Sequence, residues 1–595
     1  MPIAIDKIDV HYPRPTLVRK EWISLDGEWQ FAFDDADRGL REEWFTQELP
    51  LRIQVPFCYQ SRRSGIGEAS KHACVWYRRK LTLPEAWAGK RILLHFGAVD
   101  YACTVFLNRM AVQEHTGGHV PFSVDITDFL VLGVNIVCLR VTDETKRDQP
   151  VGKQCPGERI DRCWYTPTTG IWRSVWLEPV PGAFIRGLTL IPNRETRTLA
   201  MKFDLGGDVA ESELSVRVTY EGSLVAECAA RCTDRAMELS LSIPHQDYVD
   251  DTDCWTPVRP ALFGLTACLK KEDAEPDRIE SYFGMRDVAT REGMVLLNGR
   301  PLYQKLVLDQ GYWRDTLLTP PDGDALFSDL LAIKRMGFNG VRMHQKIEDS
   351  RFYHFADVIG LVVWAEMPSC YVFTEAAMRR TINEWTDAVS LLRNHPSILV
   401  WVPLNESWGV RGILRNPAQQ QYARALYSLT KALDPTRLVS TNDGWEQVDS
   451  DLCSIHDYFS NADSFERRYA DLDNLLLGHA EGRMLYAEGF AYGGAPVILS
   501  EYGGVSFCSE HVEGAWGYNE SAADSQAYLQ AIASMTRSVR MHPRIQGFCY
   551  TQLTDVMQEA NGLMDMDHRL KVSPEALERI FCDMDEKLLS GYADV

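Results

Sequence analysis

Three observations predict a multidomain protein that combines β-sandwiches with an α/β barrel. Residues 20–180 contain short alternating apolar stretches separated by Gly, Pro and Asp, a pattern typical of a β-sandwich or jelly roll. Residues 181–287 continue the β pattern over about a hundred residues, which suits a second, smaller sandwich. From residue 288 onward, short apolar strands alternate with helical stretches, as they do in parallel α/β folds.

Each region is assigned to one domain. Residues 1–180 are predicted to form a sugar-binding-like jelly roll, residues 181–287 an immunoglobulin-like β-sandwich, and residues 288–595 a catalytic (β/α)8 TIM barrel. Helical stretches at 324–336 and 419–433 support the barrel. Its eight candidate strands lie at residues 302–308, 337–343, 361–367, 398–405, 437–442, 451–457, 496–500 and 545–551.

The composition sets limits on the partners of the chain. It has 595 residues, of which 45% are hydrophobic and 24% charged, and its net charge is −21. This acidity argues against nucleic acid and anionic membranes as partners. The first residues lack a signal-peptide core, and no stretch is apolar enough to span a bilayer. The fifteen Cys form no C-x-x-C pair, so we expect reduced thiols in a cytoplasmic protein without cofactor or metal.

Two candidate strands end on carboxylates. The fourth, in "ILVWVPLNESWG" (398–409), ends on Asn405 and Glu406, and the seventh, in "PVILSEYGG" (496–504), ends on Glu501. A buried charge is costly unless it has a use. Active sites of such barrels lie at the C-terminal ends of the strands, and strands four and seven face each other across the mouth. The pattern therefore predicts two carboxylates flanking one bond, as glycoside hydrolysis requires.

A structural interpretation of each glutamate has to be weighed as well. A single carboxylate at a strand end is more often held by a helix N-terminus or an Arg, and we interpret Glu366 on the third strand in this way. Two glutamates at matching strand ends, one preceded by Asn, favour catalysis. The alternatives are a non-catalytic carbohydrate-binding protein, which would not need both glutamates, and a transglycosylase, which would share them.

Several motifs resemble glycoside hydrolase family 2, the family of β-galactosidases and β-glucuronidases. "RNHPSILVWVPLNESWG" (393–409) is similar to its acid/base signature. Other segments are similar to its sugar-binding domain or to parts of its barrel, namely 24–33, 115–127, 168–180, 296–308, 330–368 and 550–563. The resemblance covers nearly the whole chain and implies the same order of three domains. Members of this family often form dimers or tetramers, so we expect a homo-oligomer that binds a small carbohydrate or glycoconjugate.

The resemblance implies roles for individual residues. Glu406 would be the general acid/base, Glu501 the nucleophile, and Asn405 the partner of the sugar 2-hydroxyl. The acid must keep its proton near neutral pH, which the apolar wall of Trp401 and Trp408 would favour. Tyr458 is expected to donate a hydrogen bond to Glu501. Further substrate-binding candidates at strand ends are Asp309, Arg342, His344, Lys346, His456, Tyr458 and Tyr550.

Departures from the family pattern bear on the sugar and on metals. The second strand ends in "RMHQK" (342–346) where the family usually has His-Tyr-Pro. Family β-glucuronidases carry an Asn-x-Lys pair late in the barrel, but here Leu563 stands two residues after Asn561. "EMPSCYVF" (366–373) lacks the His that metal-dependent members carry, so we predict no required magnesium.

We therefore predict a retaining exo-β-glycosidase for a galacto-configured sugar. Its substrate would be a β-galactoside or a β-galacturonide. In the second case Arg342 and Lys346 are the cations expected to pair with the sugar carboxylate. The alternatives are a β-glucuronide and an α-L-arabinopyranoside.

Overall fold

A computed structural model describes residues 9–157, 160, 162–246, 251–480, 482–508 and 514–582 of the chain. Its first part consists of two facing antiparallel sheets. Alternate residues of their strands point into the space between them, as Val137, Leu139 and Val141 do, and these side chains are buried. In sheet order, the larger sheet contains Leu51–Val55, Gly27–Phe33, Cys74–Leu81, Asn135–Thr142, Ala102–Leu107 and Met110–Thr116. The smaller contains Ile23–Ser24, Val175–Val180, Arg91–Phe96 and Phe122–Asp125.

The second part is also a β-sandwich. Leu214, Val216 and Val218 alternate along one strand and are buried between its two sheets, in agreement with the predicted β pattern. The three-stranded sheet contains Ala183–Asn193, Thr198–Gly207 and Ala236–Ser242. The four-stranded sheet contains Ser223–Arg231, Glu213–Tyr220, Phe263–Lys270 and Asp277–Phe283. A meander of Val288–Arg291, Met294–Leu297 and Arg300–Pro301 leads into the third part.

The third part is an eight-stranded parallel sheet that curls into a barrel, as predicted. The strands are β1 Gln304–Asp309, β2 Gly340–Met343, β3 Val362–Glu366, β4 Ile398–Val402, β5 Leu438–Val439, β6 Cys453–His456, β7 Val497–Gly503 and β8 Ile545–Thr551. Their order is β5-β4-β3-β2-β1-β8-β7-β6. Strands β5 and β6 approach through side chains, with Ser440 Oγ 3.2 Å from Ser454 Oγ. Beyond β4 and β5, Leu404–Asn405 pairs with Asn442–Asp443.

Helices follow most of these strands, but none of the described helices lies between β5 and β6, and two lie between β6 and β7. Most begin at a residue whose side chain accepts a hydrogen bond from the first turn, as Asp322 does from the N–H of Ala325. Within the described residues, no helix is long and apolar enough to cross a membrane, and the cytoplasmic location stays a prediction. The helices are α1 Gly323–Arg335, α2 Ser350–Ile359, α3 Glu375–Leu392, α4 Pro417–Leu433, α5 Ala462–Tyr469, α6 Leu472–Leu476, α7 Ser525–Met541 and α8 Pro574–Phe581.

A loop of the first sandwich lies on the mouth of the barrel. It follows the strand Asn135–Thr142. The N–H of Gly152 donates to the carbonyl of Ser369 at 3.2 Å, and the N–H of Tyr371 donates to the carbonyl of Arg147 at 2.7 Å. Residues of this loop therefore reach the ends of the barrel strands, where the site was predicted.

Candidate active site

Glu406 and Glu501 meet at the C-terminal ends of strands β4 and β7. One oxygen of each, together with a ring nitrogen of His456, lies within 4.8 Å of the other two atoms. Glu501 is buried, and the Glu406 side chain remains 19% exposed. Carboxyl groups about 5 Å apart are typical of glycosidases that retain anomeric configuration. The pair predicted from the two strand ends is thus close enough to act on a single bond.

Arg342 at the end of β2 holds this site together. Its guanidinium is fully buried and donates hydrogen bonds to Glu366 at 2.9 Å, Glu501 at 2.8 Å and Asn405 at 2.7 Å. It also lies 3.0 Å from a carboxylate oxygen of Asp443. These partners occupy the donors of Arg342 and make it a candidate positioning residue. Its pairing with a sugar carboxylate stays a prediction.

His456 at the end of β6 links the carboxylates. Its Nδ1 lies 2.8 Å from Glu406 Oε1, and its Nε2 lies 2.9 Å from Asp443 Oδ2 and 3.4 Å from Glu501 Oε1. Burial lowers the pKa of His456, but Glu501, Asp443 and Glu406 outweigh it and raise this pKa to about 10. His456, predicted to bind substrate, is therefore an imidazolium that contacts both candidate catalytic residues.

Tyr458 and Asn405 lie where the sequence predicted. The Tyr458 hydroxyl donates to Glu501 Oε2 at 2.5 Å, so the expected contact is present. The Asn405 Oδ1 accepts a bond from Arg342, and its buried Nδ2 has no hydrogen-bond partner among the described residues. That amide N–H group remains available to a substrate hydroxyl.

His344 and Trp408 also border the site. His344 Nδ1 lies 3.1 Å from Glu366 Oε1, and burial, with Lys153 and Arg342 nearby, holds the pKa of His344 well below its usual value. Burial also raises the pKa of Glu366 to about 7, although Arg342 opposes this shift. The ring of Trp408 lies 4.8 Å from that of Trp164, which belongs to the loop of the first sandwich.

Three side chains predicted to contact substrate have other partners in the described structure, and their contacts with substrate stay predictions. The Lys346 ammonium donates to the carbonyls of Gly311 at 2.8 Å and Leu318 at 2.7 Å and pairs with Glu348, so its three donors are used. Tyr550 is fully buried in the barrel core, with its ring 5.6 Å from that of Tyr502.

Asp309 is the third of these. Its Oδ1 accepts a hydrogen bond from the N–H of Gly311 at 2.8 Å, and its charged neighbours are Asp329, Lys346 and Glu348. Burial, with help from Asp329, raises the pKa of Asp309 to about 6. The Asp309 side chain therefore lies in the cluster around Lys346 and not beside Glu406 and Glu501.

Sequence reasoning missed two charged residues of the site. Lys153, from the loop of the first sandwich, is only 6% exposed, and its Nζ lies 4.9 Å from the centre of the Trp408 ring. Burial lowers the pKa of Lys153, but Cys163, Glu559, Glu501 and Glu406 outweigh it and raise this pKa.

Glu559, on the loop after β8, is the second missed residue. It is buried and accepts a hydrogen bond from the Tyr165 hydroxyl at 2.6 Å. No local motif marks Lys153 or Glu559, because both reach the site through contacts between distant parts of the chain.

Two family models match the chain. "Glycosyl hydrolases family 2, sugar binding domain" covers residues 22–181, and "Glycosyl hydrolases family 2, TIM barrel domain" covers residues 288–513. Together they cover more than half of the sequence. The two matches agree with the order of domains expected from the motifs.

Similar proteins carry the name β-glucuronidase. The dog protein is 24% identical over 84% of this chain and 80% of its own length. The protein of Paenibacillus borealis is 25% identical over 84% of this chain and 86% of its own length.

Solved β-glucuronidases share the fold. That of Ruminococcus gnavus has a TM-score of 0.76 at 19% identity, over 96% of this chain and 99% of its own. The β-glucuronidase of Bifidobacterium dentium has a TM-score of 0.77 at 20% identity, over 96% of this chain and 98% of its own. The chain therefore belongs to glycoside hydrolase family 2 and is a glycosyl hydrolase, not a non-catalytic carbohydrate-binding protein.

Proposed function

We propose that the protein is a retaining exo-β-glycosidase that hydrolyses terminal β-D-glucuronides. The observation that carries the proposal is the approach of Glu406 and Glu501 to within 4.8 Å. Glu501 attacks the anomeric carbon and forms a glycosyl-enzyme while Glu406 protonates the leaving oxygen. Glu406 then acts as a base on water, which releases the sugar with its original configuration.

The surrounding charges support these roles. Glu501 accepts hydrogen bonds from Arg342 and Tyr458, and both bonds favour the ionised carboxylate that a nucleophile needs. When Glu501 becomes an ester its charge is lost. Arg342 keeps Asp443 as an anionic partner at that stage, so this buried cation is not left unpaired.

The relatives support a glucuronide over the galacto-configured sugar that the sequence favoured. Proteins named β-glucuronidase match more than four fifths of the chain, whereas the galactosidase interpretation rested on departures from family motifs. The missing Asn-x-Lys pair remains a difference from family β-glucuronidases, since Leu563 stands where the Lys would be. A glucuronidase of this sequence needs another cation for the sugar carboxylate.

Substitution of the two glutamates tests the mechanism. We expect Glu501→Ala to lower kcat by about 10⁴-fold or more, because no covalent intermediate forms. We expect Glu406→Ala to slow aryl glycosides with poor leaving groups much more than those with good ones. Added azide should restore turnover of Glu406→Ala and yield a β-glycosyl azide, identified by NMR. Near-normal turnover of Glu501→Ala would refute the mechanism.

A panel of aryl glycosides tests the sugar. It contains the β-D-glucuronide, β-D-galacturonide, β-D-galactoside and α-L-arabinopyranoside of one phenol, and kcat/KM is compared among them. We expect the glucuronide to react fastest. If the galacturonide reacted fastest, the enzyme would prefer the galacto configuration at C4. If the galactoside or arabinopyranoside reacted fastest, the proposal that the sugar carries a C6 carboxylate would be refuted. Product analysis with an added alcohol acceptor separates hydrolysis from transglycosylation.

A further inference from the structure

We propose that Lys153 of the first sandwich binds the C6 carboxylate of the substrate and thereby sets the preference for uronides. The inference rests on the uronide hydrolysis proposed above. In this proposal, the substrate carboxylate is bound by a loop that lies outside the barrel.

The backbone around Lys153 is held firmly on the barrel. Its carbonyl accepts a hydrogen bond from the N–H of Tyr165 at 2.9 Å. The preceding Gly152 has a φ of +57°, and a Cβ there would lie 2.3 Å from the carbonyl oxygen of Gln345. Because only glycine allows this approach, Lys153 is anchored beside the loop that follows β2 and carries His344.

The Lys153 side chain is buried, and its ammonium has no anionic partner within ion-pair distance among the described residues. Within the described part of the chain, its Nζ lies 4.9 Å from the centre of the Trp408 ring, and no hydrogen bond or ion pair engages its three donors. Burial of an unpaired charge is costly. The carboxylates of Glu559, Glu501 and Glu406 act on it electrostatically and favour its charged form at neutral pH. A carboxylate on the substrate would supply the missing partner.

Other cations near the site are already occupied. Arg342 is bound by Glu366, Asp443 and Glu501, and Lys346 by Glu348 and two carbonyls. Arg173 donates to the carbonyls of His119 and Ile347. Arg173 keeps an unpartnered Nε–H, so Lys153 is the one of these four described cations that makes no side-chain hydrogen bond or ion pair at all.

Paired substrates that differ only at C6 test the inference. For wild type, Lys153→Met and Lys153→Arg, kcat/KM is measured on an aryl β-D-glucuronide and on the matching β-D-glucoside. We expect Lys153→Met to lower the ratio of the two values about a hundredfold, because a buried charge–charge contact is lost. Lys153→Arg keeps the cation and should keep most of the ratio. Lys146→Met is the control, since Lys146 is half-exposed in the same loop and pairs with Glu144.

Product binding gives a readout that does not depend on turnover. We expect the inhibition constant of D-glucuronic acid to rise in Lys153→Met relative to that of D-glucose. An equal loss on both substrates, or an unchanged ratio in a variant with the wild-type Tm, would overturn the role of Lys153 and leave the proposed function intact. A wild-type enzyme that prefers the glucoside would overturn the proposed function itself, and the Lys153 inference with it.

Discussion

At the scale of single residues, the site depends on opposite charges that neutralise one another. Arg342 and His456 are fully buried, and both contact Asp443 and Glu501. Burial raises the pKa of Asp443, but Arg342 and His456 outweigh it and lower this pKa well below the ordinary value. Buried charges are tolerated in this way only when they are paired. Arg342 and His456 therefore fix the position of the Glu501 carboxylate and favour its ionised form.

Loss of the Tyr458 hydroxyl should weaken the nucleophile. In Tyr458→Phe, Glu501 loses a donor at 2.5 Å while the ring keeps its stacking on Tyr518, 3.8 Å away. We expect kcat/KM to fall about 10- to 100-fold with little change in Tm, since one charge-assisted hydrogen bond is removed. Tyr518→Phe is the matched control, because the described structure shows no hydrogen bond from its hydroxyl to Glu501. Equal losses in the two variants would contradict this role of Tyr458.

A chelator should leave the enzyme active. Glu406, His456 and Glu501 lie close enough to hold a metal ion, but both ring nitrogens of His456 face carboxylates and its pKa is raised to about 10. A protonated imidazole has no lone pair for a metal. We expect kcat/KM to be unchanged after dialysis against EDTA, with and without added Mg²⁺. Loss of activity that Mg²⁺ restores would refute this expectation.

Residue positions were predictable where a strand itself decides them. Glu406 and Tyr458 follow strand ends, Glu501 lies near the end of β7, and the barrel brings such ends together. Tyr550 also lies on a strand, but alternate residues face opposite sides, and its side faces the core. Lys153 belongs to a loop of another domain, so no pattern in the barrel sequence indicated it.

At the scale of elements, the turn after β4 explains how Glu406 is presented. Glu406 and Ser407 both have left-handed backbones, with φ of 50° and 58°. The N–H of Ser407 donates to Asn442 Oδ1 at 2.9 Å, and its hydroxyl donates to Glu446 at 2.6 Å. Such a conformation is uncommon outside glycine and persists where neighbouring groups hold it. The chain that follows β5 therefore orients the turn that carries Glu406.

The segment after β2 should depend on Lys346 for stability and not for selectivity. In Lys346→Met, buried Glu348 loses its cationic partner, which costs about 3–5 kcal/mol for pairs of this kind. We expect a lower Tm and an unchanged ratio of kcat/KM on glucuronide and glucoside.

The double variant Lys346→Met/Glu348→Gln is the control for this prediction. It removes the unpaired charge, so it should be more stable than Lys346→Met alone. If Lys346→Met had the Tm of wild type but a lower ratio of kcat/KM on glucuronide to kcat/KM on glucoside, Lys346 would be a ligand of the sugar carboxylate.

At the scale of the whole molecule, much of the architecture was predictable from the pattern of apolar stretches along the sequence. Two β regions precede an eight-stranded α/β region, and the observed barrel strands lie within a few residues of those expected. The approach of β5 to β6 through serine side chains was not foreseen, because pairing between distant strands depends on tertiary geometry. The domain boundaries at residues 180 and 287 and the homo-oligomer stay predictions.

Glu384 of helix α3 connects the barrel to the first sandwich. Its Oε1 accepts a hydrogen bond from the N–H of His119 at 2.7 Å, while its buried Oε2 has no partner among the described residues. Burial raises the pKa of Glu384 to about 8, from an ordinary value of 4.5. The folded protein therefore favours the protonated carboxyl. This stabilisation is complete below pH 4.5 and is lost as the pH rises through 8.

Glu384→Gln should consequently change how stability depends on pH across this interface. Glutamine resembles the protonated carboxyl and does not ionise. The free energy of unfolding of the variant therefore does not fall between pH 4.5 and 8 through this group, as that of wild type does. We expect similar Tm values at pH 5 and a Tm about 1–3 °C higher for the variant at pH 9. Glu375→Gln, at an exposed position of the same helix, should follow wild type at both pH values. A variant that is less stable at pH 9 would mean that Glu384 is ionised and paired in the folded protein.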